Sequence, residues 1–445
     1  LRSDESTSMS RTISVFEHGT LKVGAAGTLG TALITQGEFE ALVRFNDDNG
    51  QRYFRVGYRS VTFRQFVGYL QVGDLGIEIL PKADRGGNDD TRPWRSMLFE
   101  MLKVGLGIDL HISETAMQSL ARPSLIELVV ANLMPHVERI AREGLARAYR
   151  QEEGNGTTFR GRLVFADHIR LNHSRADRCF VRYPVYDCDT QENRLLRAAL
   201  EVAAGAPISG PLRARVLSIL PRFEGARQTV PNALAFERLT TTRATERYRD
   251  ALLLSRMVLE GLSPALRSGR VPVFALLFDM NALWERYVGV LFHRAGRGRL
   301  KVALQGGRAF WSLADTAPRT IRPDIVLTEL DSPDVLAVLD TKWKLADSRG
   351  PSDDDLKQMF AYNEMFKAPE AFLLYPTASE CTAPSQGRFL GKEHRCTVLE
   401  VSLQHESTSR TAAVTAQIRS LIERMAPAAP RSPQAGADPV PERGG

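Results

Sequence analysis

A chain of 445 residues, 43% hydrophobic and 25% charged, has the composition of a globular protein with two or three domains. No run of about 18 apolar residues occurs and the N-terminus lacks the apolar core of a signal peptide, so we expect a cytoplasmic protein without membrane contact. The net charge of +6 favours polyanions such as DNA, although an arginine-rich composition can also reflect genome base composition. The four cysteines contain no C-x-x-C pair, so free thiols are expected rather than zinc.

The N-terminal part, residues 13–93, is predicted to be a β-rich module, preceded by a weakly ordered start at residues 1–15. Alternation over Glu38–Phe45, a turn at Asn49-Gly50 and a return over Tyr53–Tyr58 indicate a β-hairpin. Further strands are predicted at Val61–Val72 and Gly76–Leu80, and a polar loop at Asp84–Pro93.

Residues 94–264 are predicted to form a mainly helical middle region, because apolar residues recur there at helical spacing. Gly154–Ile169 reads as loop and strand, and Pro264–Pro272 as a linker. The predicted helices are Trp94–Val104, Leu125–Arg150, Glu192–Ala204, Leu212–Leu220 and Thr240–Leu262.

The last unit, residues 273–425, interleaves helices with strands and therefore indicates an α/β layer fold with a mixed sheet. A tail rich in Pro, Ala and Gly, residues 426–445, is expected to be disordered. The predicted elements are, in order, helix Met280–Arg294, strands Leu300–Gln305, Arg322–Glu329 and Val335–Trp343, helix Asp353–Phe366, strands Ala371–Tyr375 and Cys396–Ser402, and helix Arg410–Met425.

Two apolar segments of this unit each carry an acidic residue, and the second also carries a lysine. Asp324 follows Pro323, while Asp340 and Lys342 stand at the end of the apolar run Val335–Leu339. On a strand, residues i and i+2 point to the same face, so Asp340 and Lys342 would project together, beside Asp324 if the strands pair. Carboxylates can hold Mg²⁺ together with substrate phosphates, and a lysine can orient water and offset charge on phosphorus. Two carboxylates and a lysine are the smallest set of side chains that this kind of phosphodiester hydrolysis needs.

The alternative interpretation of this pattern is a surface ion pair at the end of a strand. A second D-x-K sequence at residues 355–357 lies in a predicted helix, where residues i and i+2 diverge by about 200° and cannot share one metal. Asp340 instead terminates an apolar strand, where a site usually opens at the edge of a sheet. Together with the Pro-Asp pair on the preceding strand, this position favours the catalytic interpretation.

Four further residues are candidates for the same site. Glu285 lies at the edge of the apolar stripe of its helix and could be a further metal ligand, or simply a solvated glutamate. Gln358 and Tyr362 are four residues apart and share one helix face. Gln358 could orient water or contact phosphate, whereas Tyr362 could support Lys342, contact DNA or only pack. Lys344 shares the face of Lys342 and could contact the DNA backbone.

Motifs along most of the chain carry a family resemblance. They are the Pro323-Asp324 and Asp340-Thr341-Lys342 pattern with Gly73–Lys82, Arg160–Leu163, Asp189–Leu196, Leu283–Val288 and Gln358–Tyr362. The pattern resembles the PD-(D/E)xK nuclease superfamily. The wider sequence, residues 13–425, is similar to the McrC family, the nuclease subunits of McrBC-type, 5-methylcytosine-dependent restriction systems.

The resemblance implies a restriction-endonuclease-like fold for residues 273–425, preceded by the β-rich module and the helical region. It assigns catalysis to Asp324, Asp340 and Lys342, less directly to Glu285 and Gln358, with Mg²⁺ as cofactor. It also implies a partner, an McrB-like AAA+ ring that binds GTP and reads methylated double-stranded DNA. The N-terminal part would dock on that ring and stimulate GTP hydrolysis. This chain has no G-x-x-x-x-G-K-[ST] sequence of its own, which fits that division of labour.

Two alternatives stay open from the sequence. One is a stand-alone DNA repair nuclease of the same superfamily. The other is a non-catalytic adaptor of a GTPase ring, with a vestigial site. The sequence does not indicate which modified base is read.

Overall fold

The protein is described by a computed structural model that divides into two compact units. The described residues are 11–24, 33–73, 75–81, 92–106, 125–229, 235–236, 239, 242, 245–260, 273–313, 316–346, 350–377, 383–403 and 410–425. The first unit holds the described residues up to Met280, and the second holds those from Asn281. The predicted linker Pro264–Pro272 and the predicted tail 426–445 lie outside the described residues.

The first unit contains two four-stranded sheets, ordered β1-β7-β6-β11 and β3-β2-β5-β4. Strand β1 is parallel to β7, so part of the start that was predicted to be weakly ordered is a paired strand. The elements are β1 (Arg11–Phe16), β2 (Thr20–Val23), β3 (Leu33–Ile34), α1 (Gln36–Asp48), β4 (Phe54–Gly57), β5 (Ser60–Phe63), β6 (Phe66–Val72), β7 (Leu75–Leu80) and, much later in the chain, β11 (Val273–Asp279).

Helix α1 replaces the first strand of the hairpin that the sequence predicted, so that prediction is wrong. Thr35 accepts a hydrogen bond from the backbone N–H of Glu38, and Glu38 accepts one from the backbone N–H of Thr35 at 2.7 Å. This reciprocal pair satisfies two donors that a helix start leaves open. Leu42 and Phe45 are buried on one side of the helix, which is a helical spacing rather than the alternation of a strand.

A glycine in β6 fixes how closely β11 approaches. Gly68 has a φ of 139°, and a Cβ placed on it would lie 1.9 Å from the carbonyl oxygen of Leu276 in β11. Only glycine tolerates both the backbone conformation and the contact. The segment Val273–Asp279, which was expected to open the last unit, therefore completes a sheet of the first one.

The middle region of the first unit is helical but also contains a three-stranded sheet, ordered β8-β10-β9. Three helix predictions are confirmed to within a few residues, namely those of α2, α5 and α6. The elements are α2 (Arg92–Leu106), α3 (Leu125–Glu143), β8 (Ala148–Gly156), β9 (Arg162–Leu163), α4 (Phe165–Asn172), β10 (Cys179–Asp187), α5 (Gln191–Gly205), α6 (Gly210–Ile219) and α7 (Arg249–Glu260).

Two predicted helices are shorter in the structure. Helix α3 ends at Glu143 rather than at Arg150, because Gly144 adopts a φ of 91° that a helix cannot continue through. The residues after it form β8, where Tyr149 stacks on Tyr186 of β10. Helix α7 begins at Arg249 rather than at the predicted Thr240.

The motif that follows β10 has a structural role in this unit. Asp189 is buried and accepts hydrogen bonds from Arg194 at 2.6 and 2.7 Å and from the backbone N–H of Arg227 at 2.8 Å. These bonds, led by Arg194, lower the pKa of Asp189 to about 2. Asn193 donates to the carbonyl of the residue before Asp189 and accepts from the hydroxyl of Tyr248. The buried carboxylate of Asp189, paired with arginines, therefore holds α5 to its neighbours.

The second unit is built on a six-stranded mixed sheet, ordered β12-β15-β16-β17-β19-β18, beside a two-stranded ribbon, β13-β14. Strand β15 is antiparallel to both of its neighbours, β12 and β16, whereas β16, β17 and β19 are parallel. The elements are α8 (Met280–Gly296), β12 (Leu300–Leu304), β13 (Arg308–Trp311), β14 (Arg319–Ile321), β15 (Ile325–Glu329), β16 (Val335–Thr341), α9 (Asp353–Phe366), β17 (Glu370–Thr377), β18 (Ser385–Arg388), β19 (Arg395–Ser402) and α10 (Arg410–Met425).

Sequence and structure agree closely in this unit, and the predicted mixed α/β architecture is confirmed. Helices α9 and α10 begin and end where predicted, and the buried strand β16 follows its apolar run. Strands β13, β14 and β18 were missed because they are short and largely exposed. One face of the sheet packs against α9 through a cluster that includes Val326, Val338, Met359, Phe366 and Leu373.

Candidate active site

Asp324 and Asp340 face each other across neighbouring antiparallel strands. Ile325 pairs with Leu339, and extending that register by one residue places Asp324 opposite Asp340. Directly opposed residues of an antiparallel pair project from the same face. The predicted pairing of the two acidic strands is therefore present, and it brings both carboxylates to the face that α9 covers.

The backbone after Asp340 fixes the first of these carboxylates. Asp324 Oδ2 accepts hydrogen bonds from the Thr341 backbone N–H at 2.7 Å and from the Thr341 hydroxyl at 2.8 Å. Both hydrogen bonds that the Asp324 carboxylate accepts from described residues fall on this one oxygen. Its Oδ1 thus remains for another ligand.

Lys342 projects on the same side as Asp340, as residues i and i+2 of a strand should. Its Nζ lies 2.6 Å from Asp340 Oδ2, and Asp340 is only 3% exposed. The backbone N–H of Lys342 donates to Leu374 of β17 at 2.9 Å, which continues the strand pairing past the end of β16. Buried charges are stable only when paired and hydrogen-bonded, so the aspartate and the lysine hold each other in place.

Helix α9 supplies a polar bridge between these groups. Gln358 Oε1 accepts from Lys342 Nζ at 2.9 Å, while its Nε2 donates to the Tyr362 hydroxyl at 2.7 Å and to Asp340 Oδ1 at 3.3 Å. The ammonium beside Oε1 and the carboxylate beside Nε2 fix the orientation of the amide. Tyr362 in turn donates to the carbonyl of Arg322 at 2.8 Å. The predicted shared face of Gln358 and Tyr362 does look onto the acidic pair.

The electrostatics of the site reflect two carboxylates in a poorly solvated place. Burial, and then the charge of Asp324, raise the pKa of Asp340 to about 6. Burial also raises the pKa of Asp324, with a further contribution from Glu285, against the hydrogen bonds from Thr341. Burial lowers the pKa of Lys342, but the opposing attraction of Asp340 and other carboxylates leaves it raised. Negative charge is thus in excess, which is the condition under which a cation binds.

Asp355 is part of this network and was missed from the sequence. It is buried, its Oδ1 lies 3.6 Å from Lys342 Nζ, and its Oδ2 lies 2.6 Å from Lys344 Nζ. Ser352 donates to the same Oδ2 at 2.7 Å. The second D-x-K sequence behaves as its helical spacing predicts, because Lys357 points away and contacts exposed Asp354. In the sequence, the feature that could have drawn attention to Asp355 is its position three residues after Ser352, the N-cap residue of α9.

Glu285 takes a more peripheral position than the two aspartates. Its carboxylate accepts a hydrogen bond from Gln305, and its charge raises the pKa of Asp324. Within the described part of the chain, no group of three or more His, Cys, Asp or Glu side chains is arranged to hold a metal ion. The predicted three-carboxylate ligand set is therefore not assembled, which leaves Asp324 and Asp340 as the protein ligands to consider.

The two aspartates suit a magnesium ion that is completed by substrate. Mg²⁺ commonly takes one or two protein carboxylates, with waters and substrate phosphates as its other ligands. The open Oδ1 of Asp324 and the raised pKa of both carboxylates fit that donor set. Asp324 and Asp340 would hold the ion.

The two predicted DNA-contact residues have different surroundings. Lys344 lies at the surface and pairs with Asp355, so its ammonium stands at the rim of the site. Tyr362 is only 3% exposed, and its hydroxyl donates to the backbone of Arg322. This burial does not favour a DNA contact by Tyr362, which stays a prediction. Its position matches the other expectation, support of Lys342, through Gln358.

Comparisons with known proteins identify the family. A model of the McrBC 5-methylcytosine restriction system component family matches residues 61–376. This match identifies the protein as a component of a restriction system. The chain belongs to this family, and the family recognised from the sequence motifs is confirmed. The match includes the region of every candidate site residue. A search of curated protein sequences finds no match.

One solved structure shows the same fold. It is a chain of the half-complex from a tetradecameric assembly of Thermococcus gammatolerans McrB AAA+ hexamers with bound McrC. It has a TM-score of 0.63 and 18% identity, over 92% of this chain and 100% of that one. A chain of the cryo-EM structure of the Thermococcus gammatolerans McrBC complex has a TM-score of 0.44 and 20% identity, over 64% of this chain and 88% of that one. None of the described helices is long and apolar enough to cross a membrane.

Proposed function

We propose that this chain is the McrC-like nuclease subunit of a GTP-dependent, modification-dependent restriction system that works in the cytoplasm. The observation that carries the proposal is the convergence of Asp324, Asp340 and Lys342 on one face of the sheet, with the ammonium 2.6 Å from a carboxylate. The second unit would have the restriction-endonuclease-like arrangement that the PD-(D/E)xK pattern implies. Its substrate would be double-stranded DNA carrying methylated cytosine.

Each residue of the site has a separate role in the hydrolysis of a phosphodiester. Mg²⁺ bound by Asp324 and Asp340 would supply Lewis-acid polarisation of the scissile phosphate. Thr341 holds Asp324 through two hydrogen bonds and keeps its carboxylate aimed at the ligand position. The side-chain carbonyl oxygen of Gln358 accepts a hydrogen bond from the Lys342 ammonium. This bond fixes the direction of the N–H that neither Gln358 nor Asp340 binds.

Lys342 acts as a cation rather than as a base in this arrangement. Its raised pKa keeps it protonated at neutral pH. Asp340 and Gln358 take two of its three N–H donors, which leaves the third for a phosphoryl oxygen of the substrate. As the water oxygen bonds to phosphorus, the bond from phosphorus to the leaving sugar oxygen breaks. The water releases its proton to solvent, and the leaving oxygen takes a proton from solvent. Charge grows on the phosphoryl oxygens in the transition state, and a fixed ammonium stabilises that charge more there than in the substrate. Glu285 acts from farther away, through its charge on Asp324.

The partner follows from the family and from the solved neighbours. The structure with the same fold contains McrB AAA+ hexamers with bound McrC. By analogy, the first unit of this chain would dock on an McrB-like AAA+ GTPase ring and stimulate its GTP hydrolysis. GTP would be bound by the ring, since this chain carries no P-loop sequence. Reading of the methylated base would also belong to the partner.

The decisive experiment measures cleavage of methylated plasmid DNA by the reconstituted complex with GTP and Mg²⁺. Lys342→Ala should lower the rate by about 10²–10³, the usual cost of one preorganised transition-state donor. Lys357→Ala is the matched control, because it removes the exposed lysine of the other D-x-K sequence and should cleave at the wild-type rate. Normal cleavage by Lys342→Ala would refute the proposed site.

Two further measurements separate the two alternatives. Vigorous cleavage by the purified chain with Mg²⁺ and no partner would identify a stand-alone repair nuclease. Full protection against phage by Asp340→Ala in cells would identify a non-catalytic adaptor. Cleavage that needs the ring, GTP and all three residues supports the two-component machine.

A further inference from the structure

The two-stranded ribbon β13-β14 leads directly into the candidate site. Strand β14 ends at Ile321, and Asp324 follows three residues later. At the other root of the ribbon, the backbone N–H of Gln305 donates to the carbonyl of Asp324 at 2.9 Å. Both ends of the ribbon are therefore tied to the position of one catalytic carboxylate.

Contacts at its base hold the ribbon against helix α9. Arg308 donates to the carbonyl of Met365 at 2.9 Å, and its guanidinium lies 4.6 Å from the centre of the Phe366 ring. These two contacts anchor the start of β13 to the helix that also carries Gln358. The base of the ribbon is thus fixed to the same helix that supplies Gln358 to the site.

Beyond the root, the ribbon is exposed and carries aromatic and basic side chains. Phe310 and Trp311 are 51% and 50% exposed, although aromatic residues usually bury most of their surface. A β-bulge between Ala309 and Trp311 puts Trp311 opposite Arg319, whose guanidinium lies 5.3 Å from the centre of the indole ring. Arg319 forms no ion pair with any carboxylate of the described residues.

We propose that the β13-β14 ribbon lies in a groove of duplex DNA beside the phosphate that is cut, an assignment that rests on the proposed function. A two-stranded β-ribbon is one of the elements that a DNA groove admits. Arg319 contacts a backbone phosphate, which positions the duplex, and Trp311 contacts the sugars and base edges within the groove. The positive charge and its continuity with the acidic site favour DNA over a protein partner.

The test measures binding apart from cutting. The full-length chain is titrated onto a fluorescein-labelled DNA duplex in EDTA, and anisotropy is recorded over a series of salt concentrations. Trp311→Ala should weaken binding about tenfold, because it removes much of the apolar surface that the ribbon would bury in the groove. Arg319→Ala should weaken binding and lower the slope of log affinity against log salt by about one.

Two control variants each remove an exposed basic or apolar side chain elsewhere in the second unit. Arg297→Ala deletes one exposed arginine just after α8, and Leu390→Ala deletes a side chain that is 99% exposed. Both should bind DNA as the wild type does. Circular dichroism and thermal melting of every variant should match the wild type, because the ribbon side chains that are changed are half exposed.

The other outcomes decide against the proposal. Wild-type affinity and salt slope in both ribbon variants, or no duplex binding by the wild-type chain, would overturn it. A loss of ring GTPase stimulation in Trp311→Ala with unchanged DNA affinity would make the ribbon a protein-docking surface instead. Failure of the proposed function is separate, because it would appear as normal cleavage by Lys342→Ala, whatever the ribbon binds.

Discussion

Asp355 lies 3.6 Å from the ammonium of Lys342, so the lysine of the candidate site stands between two buried carboxylates, Asp340 and Asp355. Asp355 also holds Lys344 at 2.6 Å. It contacts neither the aspartate pair nor the expected position of the substrate. Its role is to position Lys342 and to keep it charged.

Asp355→Asn should therefore slow cleavage by about tenfold, which is about 1.4 kcal/mol of transition-state stabilisation. Asp355 is one of the groups that raise the pKa of Lys342, so its neutralisation should lower that pKa. The alkaline limb of the pH–rate profile should then move to lower pH. The measurement is cleavage by the reconstituted complex over a range of pH.

A purely structural role for Asp355 predicts something different. It would lower the rate at every pH without moving the alkaline limb. Asp354→Asn is a control, because Asp354 is exposed at the neighbouring position and pairs with Lys357, away from the site.

Magnesium should stabilise the folded chain in the absence of DNA. A ligand that binds only the folded state at 100 times its dissociation constant adds about 2.7 kcal/mol to the free energy of unfolding. We expect Mg²⁺ to raise the Tm of the wild type in differential scanning fluorimetry, and the rise to disappear in Asp340→Asn and in Asp324→Asn. An equal rise in Asp340→Asn and the wild type would place the bound ion elsewhere.

Thr341→Val tests the support of Asp324 with little change of shape. The variant removes the hydroxyl that donates to Asp324 Oδ2 at 2.8 Å but keeps the backbone donor. Loss of an outer hydrogen bond to a metal ligand typically lowers metal affinity by 10- to 100-fold, and we expect about tenfold here. The Mg²⁺ dependence of cleavage should shift by that factor, while the rate at saturating Mg²⁺ changes little. An unchanged Mg²⁺ dependence would show that the hydroxyl is not needed.

Asp189 should make the stability of the first unit depend on pH. Its pKa is lowered to about 2 in the folded state, chiefly by Arg194, from the ordinary value of 3.8 for an aspartate. A lowered carboxyl pKa stabilises the fold above the unfolded value, and this contribution is lost as pH falls from about 4 to about 2. The shift corresponds to about 2 kcal/mol at neutral pH.

The corresponding variant is Asp189→Asn, measured by urea unfolding. It leaves Arg194 without its buried partner, so the loss at pH 7 should reach about 3 kcal/mol. The difference from the wild type should shrink as pH falls toward about 2. A difference that stays constant with pH would mean that the carboxylate charge is not what stabilises this junction.

The sequence predicted the arrangement of Asp324, Asp340 and Lys342 better than it predicted the N-terminal fold, and the reason is physical. Asp340 and Lys342 follow a continuous apolar run, which specifies a buried strand and therefore the face on which both residues project. The helix α9 that carries Gln358 has a clear N-cap and apolar residues at helical spacing. These are local signals, and tertiary structure did not override them.

The errors came where local patterns were ambiguous. Glu38–Phe45 satisfies an alternating pattern, but the Thr35–Glu38 capping box makes it a helix. Strand β10 was missed because most of its residues are only partly buried and Pro184 lies inside it, where a proline argues against a strand. Asp355 could not be assigned from its helix alone, since its partners Lys342 and Lys344 come from the end of another element.

The pairing of β11 with β6 joins segments about two hundred residues apart in the chain. While the protein is being synthesised, the backbone groups along that side of β6 have no partner until residue 279 has left the ribosome, and an unpaired strand edge invites aggregation. Any shortened version intended to isolate the first unit, which we propose docks on the ring, must therefore extend through Asp279. One that stops before Val273 would lack the strand that completes its sheet.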